Sequence, residues 1–127
     1  MILALETSCD DTCAAVVTTD GQVRSNAIAS QGLLHARYGG VVPEVAARRH
    51  LELLDAVTAD ALEEAGASLG DIETVAVTRG PGLIGALLVG VSSAKALAAA
   101  RGATWGEAAA ASATVRHMIT ASSRLSW

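Results

Sequence analysis

The chain has 127 residues, enough for one domain of ordinary size and too few for two. Its 51% hydrophobic content comes from Ala, Val and Leu, with no Phe, so the expected core consists of small side chains at close backbone approach. A formal net charge of −4 argues against a broad basic face for nucleic acid.

Residues 2–6 read as a buried strand of the kind found in α/β sheets. This strand runs directly into Thr7-Ser8-Cys9-Asp10-Asp11. Burying such groups unpaired costs roughly 1–3 kcal/mol each. The turn therefore reads either as a strand end offering hydroxyls and carboxylates to a phosphate and its metal ion, or as a polar hairpin turn begun by an Asx motif. Thr12–Thr18 forms a second strand, Asp20-Gly21 a hairpin, and Gln22–Ser30 a third strand, giving an antiparallel three-strand meander. Residues 31–42 are a Gly-rich connection containing His35, Tyr38, Gly39 and Gly40.

A long helix starts at Pro43, where the missing N–H is harmless, and ends at Gly66. Leu51, Leu54, Val57, Ala61, Leu62 and Ala65 are expected to form its apolar face. Arg48, Glu52, Asp55, Asp60, Glu63 and Glu64 fall on the other side. A fourth strand, Thr74–Thr78, leads into Arg79-Gly80-Pro81-Gly82, and a second helix runs from about Leu83 to Ala100, closing at Gly102. Its small residues Gly85, Ala86, Gly90 and Ala94 recur about every four positions. Glycine inside a helix costs about 0.8–1 kcal/mol relative to Ala, so either another backbone needs the room or the helix is simply Ala/Gly-rich.

The Gly80-Pro81-Gly82 turn has two readings as well. It delivers backbone N–H groups to a helix N-terminus where an anion is favoured, or it is purely structural. No Lys-Ser/Thr pair follows, so it is not a Walker loop. Beyond Gly102 no strand is legible, and the run Ala108–Ala111 favours helix. The expected division is a lobe over 1–102 and a divergent tail over 103–127, disordered or produced by a shift of reading frame near 101–104.

Cys9 and Cys13 lack zinc-site spacing and read as ordinary thiols. Without a secretion signal they imply a reducing, cytoplasmic setting. No uninterrupted apolar run reaches membrane-spanning length, so no membrane partner is expected. His35 and His50 read as a loop and a helix-surface histidine, or as ligands that the fold would have to bring together. Arg37, Arg48 and Arg49 form a basic group that is equally a solvated helix face.

Three ordered motifs resemble one family. They are Leu5-Glu6-Thr7-Ser8-Cys9-Asp10-Asp11-Thr12, then Tyr38-Gly39-Gly40-Val41-Val42-Pro43-Glu44-Val45-Ala46 with Arg48 and His50, then Gly80-Pro81-Gly82-Leu83-Ile84-Gly85-Ala86-Leu87-Leu88-Val89-Gly90. Gln31, Leu34 and His35 lie between the first two. Together they are similar to the amino-terminal part of the tRNA N6-adenosine threonylcarbamoyltransferases (TsaD, formerly glycoproteases). The resemblance implies an α/β fold, the RNase H-like first lobe of the actin, chaperone ATPase and sugar kinase superfamily.

It also implies a reaction, transfer of threonylcarbamoyl from its adenylate to N6 of adenosine 37 in tRNAs that read codons starting with A. The implied partners are a TsaB-like paralogue and a TsaE-like ATPase, with tRNA and threonylcarbamoyl-adenylate as substrates. By the resemblance, Asp10 and Asp11 are the catalytic candidates, orienting a nucleophile or holding a hydrated Mg²⁺ with nucleotide. Thr7, Ser8, Gly80, Pro81 and Gly82 are the nucleotide- and phosphate-binding candidates. The family also carries iron or another divalent metal on a His-x-x-x-His segment, which is missing here. His117 is the one histidine of the tail, with Ala113 and Ala121 four residues away on either side. The chain is thus expected to be inactive alone. An alternative is a non-catalytic lobe that pairs with the TsaB paralogue. The older protease label has no support, since neither a nucleophile–base pair nor His-Glu-x-x-His occurs.

Overall fold

Alternation along β1 (Ile2–Glu6) gives the sheet two unlike faces. Leu3 and Leu5 point to one side, where they meet Ala14 and Val16 of β2 (Asp11–Val17). Ala4 points to the other, in a smaller cluster with Cys13, Ala15 and Val17. The structure is a computed structural model that describes residues 1–108. After β2 come β3 (Val23–Ser30), a short helix α1 (Gly32–Ala36), α2 (Pro43–Ala65), β4 (Thr74–Thr78), α3 (Ile84–Arg101) and β5 (Thr104–Ala108). A single turn of 3₁₀ helix at Leu69–Asp71 joins α2 to β4.

The sheet order is β3-β2-β1-β4-β5. The first three strands are the expected antiparallel meander, with Leu3 opposite Val16 and Ala14 opposite Ala27. β4 lies parallel to β1, with Leu5 beside Val77. A parallel neighbour requires a crossover, and α2 supplies it. α2 and α3 pack together on the Leu3/Leu5 face, where Leu54, Val57, Ala61, Ala94 and Ala98 close the larger core.

The helix ends follow from single residues. Pro43 opens α2, and Gly66 ends it at φ 63, with its N–H donating to Glu63 O and that of Ala67 donating to Leu62 O at 2.9 Å. Gly102, at φ 64, ends α3 in the same way. α3 is the one described helix whose length and apolarity (mean hydropathy 1.4) would suffice to cross a membrane. Ala86, Gly90, Ala94 and Ala98 form its buried stripe, which rests on the sheet and on α2.

Four expectations need correction. Leu51 is 69% exposed, and the buried stripe of α2 is instead Ala46, His50, Leu54, Val57, Thr58, Ala61, Leu62 and Ala65. His50 is therefore not a helix-surface histidine. Residues 31–42 are not only loop, because Gly32–Ala36 makes a turn of helix that buries His35.

Last, a strand follows α3. β5 pairs in parallel with β4 from Thr74 opposite Thr104 to Thr78 opposite Ala108. Its Gly106 and Ala108 are weak strand formers, but pairing is made by backbone groups, and the edge of β4 supplies them. Lys95 of α3 lies 4.7 Å from the centre of the Trp105 ring, a cation–π contact that ties β5 to the helix above it. His117 and the rest of the tail beyond residue 108 lie outside the described residues.

Candidate functional site

Parallel strands end at a common edge, and in open α/β sheets that carboxyl edge is where ligands sit. Here β1 and β4 bring Glu6, Thr7, Ser8 and Thr78 together there, beside the turn that begins β2. Glu6 is 7% exposed. One of its carboxylate oxygens accepts the Ser8 backbone N–H, and the other accepts the Thr78 hydroxyl at 2.6 Å. A buried carboxylate is tolerable when both oxygens are engaged in this way. Glu6 thereby links the ends of the two central strands.

Thr7 and Ser8 are both buried. The Thr7 hydroxyl donates to Ala86 O in α3 at 2.8 Å, so it holds the helix and is not open to a phosphate. Ser8 O accepts the Leu83 N–H at 2.8 Å, fixing the entry to α3. Glycine is needed at two places along this seam. A Cβ on Gly82 would lie 2.5 Å from Ser8 O, and one on Gly90 would lie 2.5 Å from Thr7 Oγ1. Inside α3 the room at Gly90 is taken by the Thr7 and Val77 side chains and not by another backbone; the close backbone approach is at Gly82, before the helix. The turn through Gly80-Pro81, whose peptide is cis, is exposed at Pro81 and Gly82 and touches Ser8 through Gly82.

Asp10 is half-buried and Asp11 exposed, so their carboxylates remain within reach of a ligand. The turn that carries them is anchored from three sides. Gln31 N–H donates to Asp10 O at 3.0 Å, closing the junction of β3 and α1. His50, fully buried on α2, donates from Nε2 to Cys9 O at 3.0 Å. Its Nδ1 accepts the Thr12 hydroxyl at 2.8 Å.

A second buried histidine continues the network. His35 Nδ1 accepts the Val42 N–H at 3.3 Å, and its Nε2 donates to Gln31 Oε1 at 3.0 Å. Gln31 Nε2 lies 3.4 Å from His50 Nδ1 and 3.5 Å from Ala46 O. These partners assign both rings the Nε2–H tautomer. Burial holds the His50 pKa below its usual 6.5, opposed by its bond to Cys9 O and by the charges of Glu6, Asp10 and Asp11.

Both histidines are therefore spent on protein hydrogen bonds and not brought together as ligands. Among the described residues no group of three or more His, Cys, Asp or Glu side chains could hold a metal ion. The two thiols are free. Burial, followed by the charges of Asp11 and Glu6, pushes the Cys13 thiol up to about 12. Cys9 is exposed yet also raised, by partial burial first and then by the Asp10 side chain.

Sequence reasoning gave no role to Glu6, Gln31 or Thr78. The available signal was position. Glu6 and Thr78 are the last residues of the two adjacent parallel strands, and a polar residue there faces the sheet edge. His50 lies four residues from both Ala46 and Leu54, in the buried stripe of α2.

A second surface feature lies on the far side of α2. Leu54, Leu62, Leu69 and Leu97, with Thr58 and Ala96, line a groove of about 520 Å³ between α2 and α3. Ile84 (82% exposed), Leu88 and Leu51 stand uncovered on the same two helices.

Comparison with known proteins bears on all of this. Residues 22–104 match the family model of TsaD, tRNA N6-adenosine threonylcarbamoyltransferase. Proteins of that name from Pelobacter propionicus and Trichlorobacter lovleyi are 60% and 61% identical to the chain, over 102 and 100 residues. The matches cover 80% and 79% of this chain but only 30% and 29% of those proteins, so the chain spans under a third of its relatives' length. Among solved structures, YeaZ from Pseudomonas aeruginosa superposes with a TM-score of 0.65 at 24% identity, over 85% of this chain and 43% of that one. That likeness concerns the fold, and it agrees with the first-lobe architecture of mixed sheet and paired helices.

Proposed function

The chain belongs to the tRNA N6-adenosine threonylcarbamoyltransferase family, and from that premise we propose that it is the first lobe of such a transferase. The reaction in this reading moves a threonylcarbamoyl group from its adenylate to N6 of adenosine 37 in tRNAs that read codons starting with A. The amine attacks the carbonyl carbon of the mixed anhydride, the bond to the adenylate oxygen breaks, and N6 loses a proton as AMP leaves. The observation that supports the reading is the anchored β1–β2 turn, which holds two accessible carboxylates, Asp10 and Asp11, at the carboxyl edge of the sheet.

Asp10 and Asp11 orient the attacking amine. A hydrated Mg²⁺ shared with a nucleotide needs only one or two protein carboxylates, and these two meet that requirement. Such an ion would neutralise phosphate charge. The chain supplies the rest through its own geometry: Glu6 and Thr78 join the strand ends, and Gly82 lets the turn before α3 close on Ser8. Ser8 and the Gly80-Pro81-Gly82 backbone flank the phosphate end of the ligand. Thr7 supports them from behind through its bond to α3.

In this reading the lobe needs a mate. The purified chain, given tRNA, threonylcarbamoyl-adenylate and the TsaB-like and TsaE-like partners, forms no modified adenosine. A chimera that joins residues 1–104 to the remaining length of the Pelobacter propionicus relative does form it, and loses it on Asp10→Asn with Asp11→Asn. Transfer by the chain alone, or full transfer by the doubly substituted chimera, refutes the proposal.

The α2–α3 groove favours a second role for the same lobe, pairing with the TsaB-like paralogue through apolar helix faces. Co-purification abolished by Leu88→Asp is the expected result. A chain that stays monomeric in the presence of that paralogue counts against it.

A further inference from the structure

From the buried network we infer that His50 and Gln31 are positioning residues, which set the conformation of the Cys9–Thr12 turn and hence the placement of Asp10 and Asp11. Beyond the last β1–β2 pair, Glu6 opposite Cys13, the connection is Thr7–Thr12, and its Asp11 and Thr12 are paired with Ser30 and Ala29 of β3. The rest of it is held from outside. Cys9 O is taken by His50, Asp10 O by the Gln31 backbone, and the Thr12 hydroxyl by His50 again. One imidazole thus grips both sides of the carboxylate pair, from a helix 38 residues further along the chain than Thr12.

The grip has a defined direction. Val42 N–H donates to His35, His35 to Gln31 Oε1, and His50 to Cys9 O, while the Thr12 hydroxyl takes the His50 Nδ1 lone pair and Gln31 Nε2 is shared at longer range between that nitrogen and Ala46 O. Reversing any one donor would leave two donors or two acceptors facing each other in a buried site. Val42 and Ala46 are thereby connected to the turn through the side chains of His35, Gln31 and His50. Hydrophobic residues of equal size would fill the space but leave the Cys9 carbonyl unpaired.

The purpose assigned to the turn rests on the transfer reading, whereas the clamp itself does not, and its test needs no activity. The test is made on the full 127-residue chain, ¹⁵N-labelled, with His50→Phe, His50→Gln and Thr12→Val variants. Glutamine can both donate to Cys9 O and accept from Thr12, so it restores the clamp without an imidazole.

The parent is expected to show His50 as the Nε2–H tautomer and rigid Cys9–Asp11 amides, with order parameters near ~0.85. His50→Phe drops those to below ~0.6 while Val75 and Val77 in β4 stay rigid, and His50→Gln returns them to the parent value. Thr12→Val, which keeps the shape of the side chain, gives the same loosening on one side and stands in should His50→Phe not fold. Unchanged turn amides in both Phe and Val variants overturn the proposal. Loosening shared equally by β4, or a folded His50→Gln protein that fails to restore the turn, also overturns it. Loss of transfer in the chimera with an intact clamp would fault the function and leave this inference standing.

Discussion

Gly90→Ala tests the seam between α3 and the sheet, because the two effects on stability have opposite sign. Within a helix, Ala is favoured over Gly by about 0.8–1 kcal/mol. At Gly90 the new Cβ would lie 2.5 Å from Thr7 Oγ1 and 3.3 Å from Val77 Cγ2. Thr7 is fully buried and cannot swing away without losing its bond to Ala86 O. Overpacking of this kind costs about 1–3 kcal/mol, and the lost hydrogen bond about 0.5–1.5 kcal/mol. After subtracting the helix gain, a net loss of about 1–3 kcal/mol is expected.

Gly85 on the same helix is the control, since its Cβ would meet only Ala47 Cβ at 3.4 Å, an ordinary contact. Gly85→Ala should raise stability by up to about 1 kcal/mol, less for its place in the first helical turn. Urea titrations followed by far-UV circular dichroism measure both. A slope of about 1–3 kcal/mol per molar converts a 2 kcal/mol loss into a midpoint lower by roughly 1 M. In a Thr7→Ala background, which removes the obstructing oxygen, the cost of Gly90→Ala should largely vanish. If Gly90→Ala raises the midpoint as Gly85→Ala does, or costs the same with and without Thr7, the close approach does not govern this helix.

Two further outcomes follow from the titrating groups. The His50 pKa is lowered on folding, so the unfolded chain binds its proton more readily; stability from this group is full above about 6.5 and is lost as pH falls below that value toward the folded pKa. Urea midpoints should therefore decline between pH 7.5 and 5, and the decline should flatten in His50→Gln; equal slopes in the two proteins would remove His50 as the cause. Asp71, lowered by its bonds to Ser68, acts around and below 3.8 and does not enter that window. As for the thiols, iodoacetamide at pH 8 should label Cys9 slowly and Cys13 only on unfolding, because both are held protonated and Cys13 is buried. Asp10→Asn should accelerate labelling at Cys9, and a Cys9 rate indifferent to that substitution would disprove the contribution of the Asp10 side chain.

Where punctuation is strong, elements were legible from residue order. Pro43 and Gly66 bound α2, Gly102 closes α3, and Asp20-Gly21 separates β2 from β3, each through a backbone requirement that one residue type meets. Hydrophobicity misled where position mattered more. Apolarity alone puts Leu51 inside, while His50 one residue earlier occupies the buried stripe, because three hydrogen-bonding neighbours make that burial tolerable.

The Asp10-Asp11 turn is visible in the sequence as a cluster of polar groups at the end of β1. Its anchoring was not visible, since Gln31, His35 and His50 are scattered over twenty residues and meet only after α1 and α2 have formed. The Thr7 hydroxyl illustrates the same limit. A threonine before a carboxylate pair suggests a ligand, yet the partner that claims it, Ala86 O, is 79 positions away.

β5 has a consequence for how substitutions are tolerated. A strand made from Thr-Trp-Gly-Glu-Ala, with the family match ending at its first residue, is recruited by the open rim of β4 as a zip takes up loose tape, tooth by tooth and regardless of colour. Apart from Thr104 and Trp105, whose side chains reach Thr74 and Lys95, side-chain changes there should pass almost unnoticed by the rest of the lobe. Proline is the exception, since it presents no N–H to the rim, and one placed at Gly106 would unfasten the sheet at that tooth.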